Sequence, residues 1–173
     1  MKSRRNKTIV LSETEETEYL KKCVTLSTFC DETTDCVVRG DIFKVAKKLK
    51  KDSVDLLIVD PPYNMSKNFD GRKFCKKSDD KYAEFTRSWI DAVLPSLKKT
   101  ASIYVCCDWK SSMVIGNVLS EYFTVRSRIS WQREKGRGAK NNWKNGMEDI
   151  WYCVVSDEFT FNLNKVKIRR KVL

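Results

Sequence analysis

The sequence of 173 residues contains no histidine. This absence excludes an imidazole general base, a Ser-His-Asp triad and any metal site that needs histidine ligands. The cysteines number seven, and none stands in a C-x-x-C pair, so neither a zinc site nor a disulfide framework is expected. Because there is no signal peptide and no apolar run of about 18 residues, we expect a cytoplasmic, reduced protein.

Basic residues outnumber acidic ones by 34 to 23, which gives a net charge of +11. A charge excess of this size favours a polyanionic partner such as nucleic acid, although a basic protein without such a partner is the alternative. The length suits one α/β domain.

Apolar periodicity predicts alternating strands and helices along most of the chain. The predicted fold is α/β, with a doubly wound, mostly parallel twisted sheet. The predicted strands cover 35–39, 54–59, 102–107, a segment around 125–131 and 150–155, and the predicted helices cover 41–49, 82–99 and 111–122. We divide the chain into an N-terminal arm (1–34), a domain (35–165) and a basic tail or truncated connection (166–173).

The most informative stretch is the apolar run 54–59 followed by Asp60-Pro61-Pro62-Tyr63. The run predicts a short buried strand, and the prolines end it abruptly. Ligands of open α/β sheets bind at this end of a strand. Asp-Pro-Pro-Tyr after an apolar run resembles the catalytic motif of the amino-methyltransferases, enzymes that methylate exocyclic nitrogens of DNA bases.

The resemblance implies specific roles for these four residues. The exocyclic amine of adenine is a poor nucleophile, and Asp60 with a backbone carbonyl of the Pro61-Pro62 turn can accept its two N–H bonds. Tyr63 offers a ring on which the base stacks after it has left the duplex. Aspartate at the first position fits either adenine N6 or cytosine N4, and the complete motif favours adenine.

The order of features is similar to the circularly permuted beta class of this family, over residues 35–165. This likeness implies a Rossmann-like methyltransferase fold, S-adenosylmethionine as cofactor, double-stranded DNA as substrate and a prokaryotic or phage-like source. It places Asp41, Ile42 and Asp60 at the cofactor, with Asp41 and Ile42 holding its adenine. A plain helix N-cap is an equal alternative for Asp41.

Two basic segments are candidates for DNA contact. The predicted loop 64–82 is rich in cations, and the predicted recognition loop 131–147 adds tryptophans, amides and glycines, which suits phosphate contact and base stacking. A mobile basic loop is the alternative for each. Asp108 and Trp109 either line a pocket or simply form a turn. The candidate DNA-binding residues are Lys67, Arg72, Arg133, Lys135, Arg137, Lys140, Trp143 and Lys144.

The family's Phe-x-Gly-x-Gly motif for the cofactor is absent from the sequence. Two explanations stay open: a truncated or split methyltransferase completed by a missing C-terminal half or a second chain, or a subunit that has lost the cofactor and only binds DNA. We therefore expect activity to require a second half or a partner chain. We expect no metal and no membrane. An incomplete sheet would leave an exposed edge and an apolar patch.

Overall fold

The computed structural model describes residues 9–30, 35–69, 72–137, 141 and 143–167. The chain forms two compact units, residues 1–50 and residues 51–173. The helices are α1 (Glu13–Lys22), α2 (Ile42–Val45), α3 (Asp79–Val93), α4 (Trp109–Tyr122) and α5 (Leu163–Val166), with single 3-10 turns at Ala46–Lys48 and Leu94–Ser96. The strands are β1 (Val24–Thr25), β2 (Val38–Arg39), β3 (Val54–Val59), β4 (Lys67–Phe69), β5 (Arg72–Phe74), β6 (Leu97–Cys107), β7 (Thr124–Arg137) and β8 (Asn145–Val154).

The first unit contains two capped helices and one small sheet. Ser12 caps α1 in a complete capping box with Glu15, as the sequence indicates. We predicted that the strand at 35–39 would join the sheet of the Asp60 strand. Instead, β2 pairs in parallel with β1 in a sheet of two strands. Its hydrogen-bonding groups are therefore satisfied by the extended segment just before it in the chain.

The second unit is built on a four-stranded sheet in the order β3-β6-β8-β7. The pair β3–β6 is parallel, and both pairs made by β8 are antiparallel. The predicted α/β class is confirmed, but the sheet is mixed rather than mostly parallel. The reason is the short connection from β7 to β8, since parallel neighbours need a crossover of about a dozen residues or more.

Helix α4 packs onto this sheet, and α3 packs against α4. The indole Nε1 of Trp151, on β8, donates to the carbonyl and the hydroxyl of Ser112 on α4, at 3.2 and 3.1 Å. Arg87 on α3 makes a two-pronged ion pair with Glu121 on α4, both bonds 2.7 Å long. The alternate β6 residues Ala101, Ile103, Val105 and Cys107 are fully buried. The period-2 burial of β6 thus marks the core side of the sheet.

The strand β3 forms one edge of the sheet, and it is less buried than its sequence predicts. Leu56 and Ile58 are 53% and 66% exposed, so one face of this strand is open. The prediction of a buried strand was therefore wrong for this face. A short apolar run does not show whether a strand is buried on one face or on both. No helix in the described part of the chain has the length and apolar composition needed to cross a membrane.

Candidate target-base site

The ends of four strands meet at one edge of the sheet. Val59 on β3 lies opposite Val105 on β6, so Asp60 and Asp108, which follow these parallel strands, project from the same edge. The antiparallel hairpin of β7 and β8 reaches the same edge, because Asp149 on β8 lies opposite Cys107 at the end of β6 and the adjacent Glu148 lies opposite Trp131 on β7. This is the edge at which the sequence predicts ligand binding.

The Asp60–Tyr63 turn is hydrogen-bonded to α3 and α4 of its unit. The hydroxyl of the fully buried Tyr82, on α3, donates to the Pro62 carbonyl at 3.0 Å. The backbone N–H of Asn64 donates to the Ser111 hydroxyl, on α4, at 3.1 Å. The Asn64 side chain also exchanges two hydrogen bonds with the backbone of Lys77, 3.0 and 2.8 Å long. The prolines and these bonds together fix the backbone of the turn.

A cleft of about 350 Å³ opens beside the turn. We call it the target cleft. Its carboxylate, Asp60, is exposed, whereas Pro61 is buried and Pro62 and Tyr63 are half-buried. The cleft is lined by Asp60, Pro61, Pro62, Tyr63, Met65, Lys67, Arg133 and Glu148.

Electrostatics couple the side chains of this cleft. Burial raises the pKa of the Tyr63 phenol well above its usual value, and the Asp60 carboxylate, a hydrogen-bond partner of the hydroxyl, raises it further. Burial also raises the pKa of the Cys106 thiol, with added repulsion from Asp60 and Glu148. Both groups therefore stay protonated at neutral pH.

The carboxylate of Glu148 forms an ion pair with the Arg133 guanidinium across the β7–β8 hairpin. The Glu148 and Arg133 side chains are 20% and 37% exposed. Because the pair lines the target cleft, it places a fixed cation and a fixed anion next to the motif. An incoming phosphate could compete with Glu148 for Arg133.

A second cleft, of about 510 Å³, shares a wall with the first. We call it the neighbouring cleft. Trp109 and Trp143 line it, with exposures of 53% and 95%. Asp108 also lies in its wall and caps α4 by accepting the Ser111 N–H at 2.9 Å. Asp108 is thus a turn residue, while Trp109 faces a pocket.

The predicted DNA-binding residues fall into three groups. Lys67 and Arg133 line both clefts, and Trp143 lines the neighbouring one. Lys144 is exposed and is not part of either lining. The backbone of Arg72 lies in β5, and the backbones of Lys135 and Arg137 lie in β7, but the placement of these three side chains is not described. Lys140 lies outside the described part of the chain.

Both predicted basic loops contain regular structure. The segment 131–147 is largely hairpin, because β7 extends to Arg137 and β8 begins at Asn145. The segment 64–82 holds the antiparallel pair β4–β5 and the start of α3. The polar composition of these segments did not predict strands, because here each strand is paired with a neighbouring strand rather than packed against an apolar core.

The two residues predicted at the cofactor's adenine lie in the first unit. Asp41 caps α2 by accepting the Phe43 N–H at 2.9 Å, which confirms the N-cap. Ile42 is 44% exposed. Their role at a cofactor stays a prediction.

Sequence reasoning missed the residues that hold or flank the motif. The predicted site residues did not include Tyr82, Ser111, Cys106 or Glu148. The available signal was the polar hydroxyl of Tyr82 within the apolar stripe of a helix, since a buried tyrosine hydroxyl usually has a partner.

Comparison with known proteins decides the family. Residues 54–172 match the N6_N4_Mtase family model, described as DNA methylase. The chain belongs to this DNA methylase family. Among curated relatives, the DNA adenine methyltransferase YhdJ of Escherichia coli (strain K12) is 31% identical over 141 residues, covering 78% of this chain and 46% of YhdJ. Type II methyltransferase M.HpaI of Haemophilus parainfluenzae is 29% identical over 140 residues, covering 78% of this chain and 44% of the relative.

Solved structures share the fold of this chain. The PvuII DNA methyltransferase (cytosine-N4-specific) aligns with a TM-score of 0.62 at 13% identity, covering 75% of this chain and 52% of that one. The M1.HpyAVI-SAM complex aligns with a TM-score of 0.54 at 19% identity, covering 76% and 62%. The chain spans about half the length of the curated relatives it matches.

Proposed function

We propose that this chain is the catalytic part of a site-specific DNA methyltransferase, which transfers a methyl group from S-adenosylmethionine to N6 of a flipped adenine. The observation that carries the proposal is the target cleft, where an exposed carboxylate, a proline turn and a tyrosine ring line one opening. That set matches what an extruded base with an exocyclic amine requires.

The turn supplies acceptors for the two amine protons. The exposed Asp60 carboxylate has two oxygens, so it can accept an amine N–H while it keeps its bond to Tyr63. The Pro62 carbonyl already accepts the Tyr82 hydroxyl. We therefore assign the second amine N–H to the carbonyl of Pro61. Acceptance of both protons directs the nitrogen lone pair away from the ring and toward the methyl donor.

The neutral Tyr63 ring supplies the stacking surface. Its raised pKa keeps the phenol uncharged, so a base can stack without a buried phenolate beside the Asp60 carboxylate. In a direct displacement the amine nitrogen would form the new bond to the methyl group while the bond from that methyl to the sulfonium breaks and leaves a neutral thioether, and the surplus amine proton would pass by way of Asp60 to solvent. A cysteine nucleophile has no role, and the raised pKa of Cys106 agrees with this.

Asp41 and Ile42 are suited to an adenine ring by their donor and acceptor chemistry. One Asp41 oxygen caps α2, and the other can accept from an amine. The N–H of Ile42 is at the first position of the helix, where it has no partner within the helix. These two residues would contact the adenine of S-adenosylmethionine, which supplies an electrophilic methyl group when bound.

The missing cofactor motif and the short match to relatives support a second half or partner chain. The exposed Leu56 and Ile58 lie on an edge strand next to the motif. An exposed edge with apolar side chains favours pairing with another segment. The DNA substrate and the bacterial relatives agree with a cytoplasmic site of action.

The test is Asp60→Ala in the complete assembly, that is, this chain with the rest of the protein or its partner. We expect methyl transfer to be abolished while DNA binding persists. The matched control is Asp55→Ala on the same strand, because Asp55 pairs with Lys98 at 2.7 Å and does not line the target cleft. Unchanged methylation in Asp60→Ala would refute the proposal.

Cytosine N4 is the second candidate target, because the PvuII structure is of a cytosine-N4-specific enzyme. Digestion of the modified DNA to nucleosides, followed by mass spectrometry, distinguishes the two bases. A non-catalytic DNA-binding subunit is the remaining alternative, favoured by the half-length match. Calorimetry of the chain with S-adenosylmethionine, with and without DNA, tests it: tight cofactor binding by the chain alone contradicts a purely DNA-binding role.

A further inference from the structure

The two clefts beside the motif form one continuous binding surface. They share Tyr63, Met65, Lys67 and the Arg133–Glu148 ion pair as a common wall. A DNA strand with one base in the target cleft could therefore reach the neighbouring cleft with its next nucleotide. The neighbouring cleft, of about 510 Å³, is in the size range of ligand pockets.

Two tryptophans distinguish the neighbouring cleft from the target cleft. Trp109 is the first residue of α4, so its backbone is held by a regular helix. Trp143 lies between β7 and β8 and is 95% exposed. Indole rings this exposed present flat apolar faces on which a nucleobase can stack, whatever its identity. The Lys110 ammonium lies 5.6 Å from the centroid of the Trp109 ring.

Cations surround these two rings. Lys76 and Lys110 line the neighbouring cleft in addition to Lys67 and Arg133 of the common wall. The carboxylates in the lining are already engaged, since Asp108 caps α4 and Glu148 pairs with Arg133. The ammonium groups of Lys76 and Lys110 can therefore contact the phosphates that flank a base.

The amide side chains of the cleft are engaged with backbone. Asn64 is bonded to Lys77 through both its oxygen and its nitrogen. The side-chain oxygen of Asn145 accepts the Met147 N–H at 3.1 Å. Amides held in this way are poorly placed to read the edge of a base. The cleft is thus suited to stacking and phosphate contact rather than to sequence readout.

We propose that the neighbouring cleft binds the unpaired base adjacent to the target on the same DNA strand, stacked on Trp109 and Trp143. The chain then holds two consecutive unpaired nucleotides, and its preferred substrate is single-stranded or locally melted DNA. This inference rests on the proposed function, because it takes the Asp60 cleft as the place of the target base.

The test measures binding of the chain to short single-stranded oligonucleotides by fluorescence anisotropy. Each oligonucleotide has the target adenine and either a normal neighbour or an abasic neighbour, on the 5′ or the 3′ side. We expect Trp109→Ala and Trp143→Ala each to weaken binding of the normal strand about 10-fold. With the abasic neighbour on the side that occupies the cleft, the same substitutions should change binding little.

Two further variants make this result specific. Tyr19→Ala is the control, because Tyr19 is an aromatic residue of α1 that is 52% exposed but does not line either cleft. Binding by this control should match the unchanged protein. Trp109→Phe keeps an aromatic face and should restore most of the affinity that Trp109→Ala loses.

Several outcomes would overturn the inference. One is an equal loss of affinity with and without the neighbouring base. Another is a tryptophan effect seen only with duplex DNA and removed by an abasic site opposite the target, which would assign the cleft to the orphaned partner base. The failure of this inference can be distinguished from the failure of the proposed function. If Asp60→Ala abolishes methylation while Trp109→Ala leaves strand binding unchanged, the proposed function stands and only the site for the adjacent base is rejected.

Discussion

The hydroxyl of Tyr82 donates a 3.0 Å hydrogen bond to the carbonyl oxygen of Pro62. This bond connects the middle of the motif to α3, the helix that follows the motif in the chain. Burial raises the pKa of Tyr82 to about 12, so the hydroxyl remains a donor at any ordinary working pH. The shape of the proline turn therefore depends on a residue that itself lies in the core.

Tyr82→Phe tests this support. The substitution keeps the ring and removes the donor, so we expect a loss of about 1 kcal/mol in the free energy of unfolding. If the turn positions the acceptors for the amine as we propose, methyl transfer by the complete assembly should lose kcat more than it changes KM for DNA. Urea unfolding and steady-state kinetics measure the two effects.

Tyr122→Phe is the control for Tyr82→Phe, since Tyr122 lies at the last position of α4, far along the helix from the motif. The kcat of the Tyr122→Phe protein should equal that of the unchanged protein. A Tyr82→Phe protein with normal stability and normal kcat would show that the hydrogen bond does not hold the turn.

Tyr63 is predicted to act through its ring rather than through its hydroxyl. Tyr63→Phe should retain most of the activity of the complete assembly, whereas Tyr63→Ala should weaken binding of a target-containing strand by roughly 10-fold or more, since base stacking contributes about 1–3 kcal/mol. The same comparison on a strand with an abasic target isolates the stacking. If Phe is as damaging as Ala, the hydroxyl and its bond to Asp60 are the functional group instead.

The local features of this protein could be read from its sequence, and the non-local ones could not. Asp41 and Ser12 as N-caps, and Asp60 at the end of its strand, follow from residues within a few positions of each other. The pairing of β6 with β8 joins Cys107 to Asp149. Such a contact depends on which distant segments bury each other's surface, a choice that no short pattern records.

The distinction between local and non-local features also explains which parts of the candidate site could be predicted. Asp-Pro-Pro-Tyr is contiguous, so its position and exposure could be anticipated. The Arg133–Glu148 pair requires the register of the β7–β8 hairpin, which places the two residues on facing strands. Sequence reasoning classified that segment as a loop because its composition is polar, and a loop has no register from which to derive the pair.

The Arg87–Glu121 pair predicts a pH dependence of stability. The hydrogen bond from Arg87 lowers the pKa of Glu121 below its ordinary value of 4.5. The folded protein therefore holds this carboxyl's proton less readily than the unfolded chain. The pair stabilises the fold above about pH 4.5 and loses that effect as the pH falls further.

Urea midpoints of the unchanged protein and of Glu121→Gln measure this effect. We expect the variant to be less stable at pH 7, and the difference from the unchanged protein to shrink as the pH falls below about 4.5. Both side chains are partly exposed, so added salt should reduce the difference at pH 7. A difference that persists unchanged at pH 3 would contradict an electrostatic origin.

Cys106 tests whether the transfer needs a thiol. Burial and the nearby carboxylates raise its pKa, so the thiolate that a covalent route requires is scarce at neutral pH. Cys106→Ser should therefore leave kcat of the complete assembly within about 2-fold of normal, whereas loss of a general acid, base or nucleophile typically costs about 100-fold or more. A rate loss of that larger size, with DNA binding intact, would implicate the sulfur.

Gly116 on α4 is predicted to be required by the ring of Trp151. A Cβ at this position would lie 2.5 Å from Cζ2 of the indole. The ring cannot easily turn away, because its Nε1 is bonded to both the carbonyl and the hydroxyl of Ser112. We expect Gly116→Ala to destabilise the protein by about 1–2 kcal/mol, since overpacking exceeds the roughly 1 kcal/mol that alanine contributes to a helix.

A double-mutant cycle isolates this clash from the helix propensity of alanine. Trp151→Phe replaces the fused indole by a single smaller ring and so removes the outer atoms Cζ2 and Cη2 that a Cβ at Gly116 would meet. In the Trp151→Phe background, Gly116→Ala should therefore become stabilising, by up to about 1 kcal/mol, because only the propensity gain remains. Urea unfolding of the four proteins gives the coupling. Equal effects of Gly116→Ala in both backgrounds would mean that α4 shifts away from the sheet to make room, and that the contact does not fix the helix that holds Ser111 against the motif.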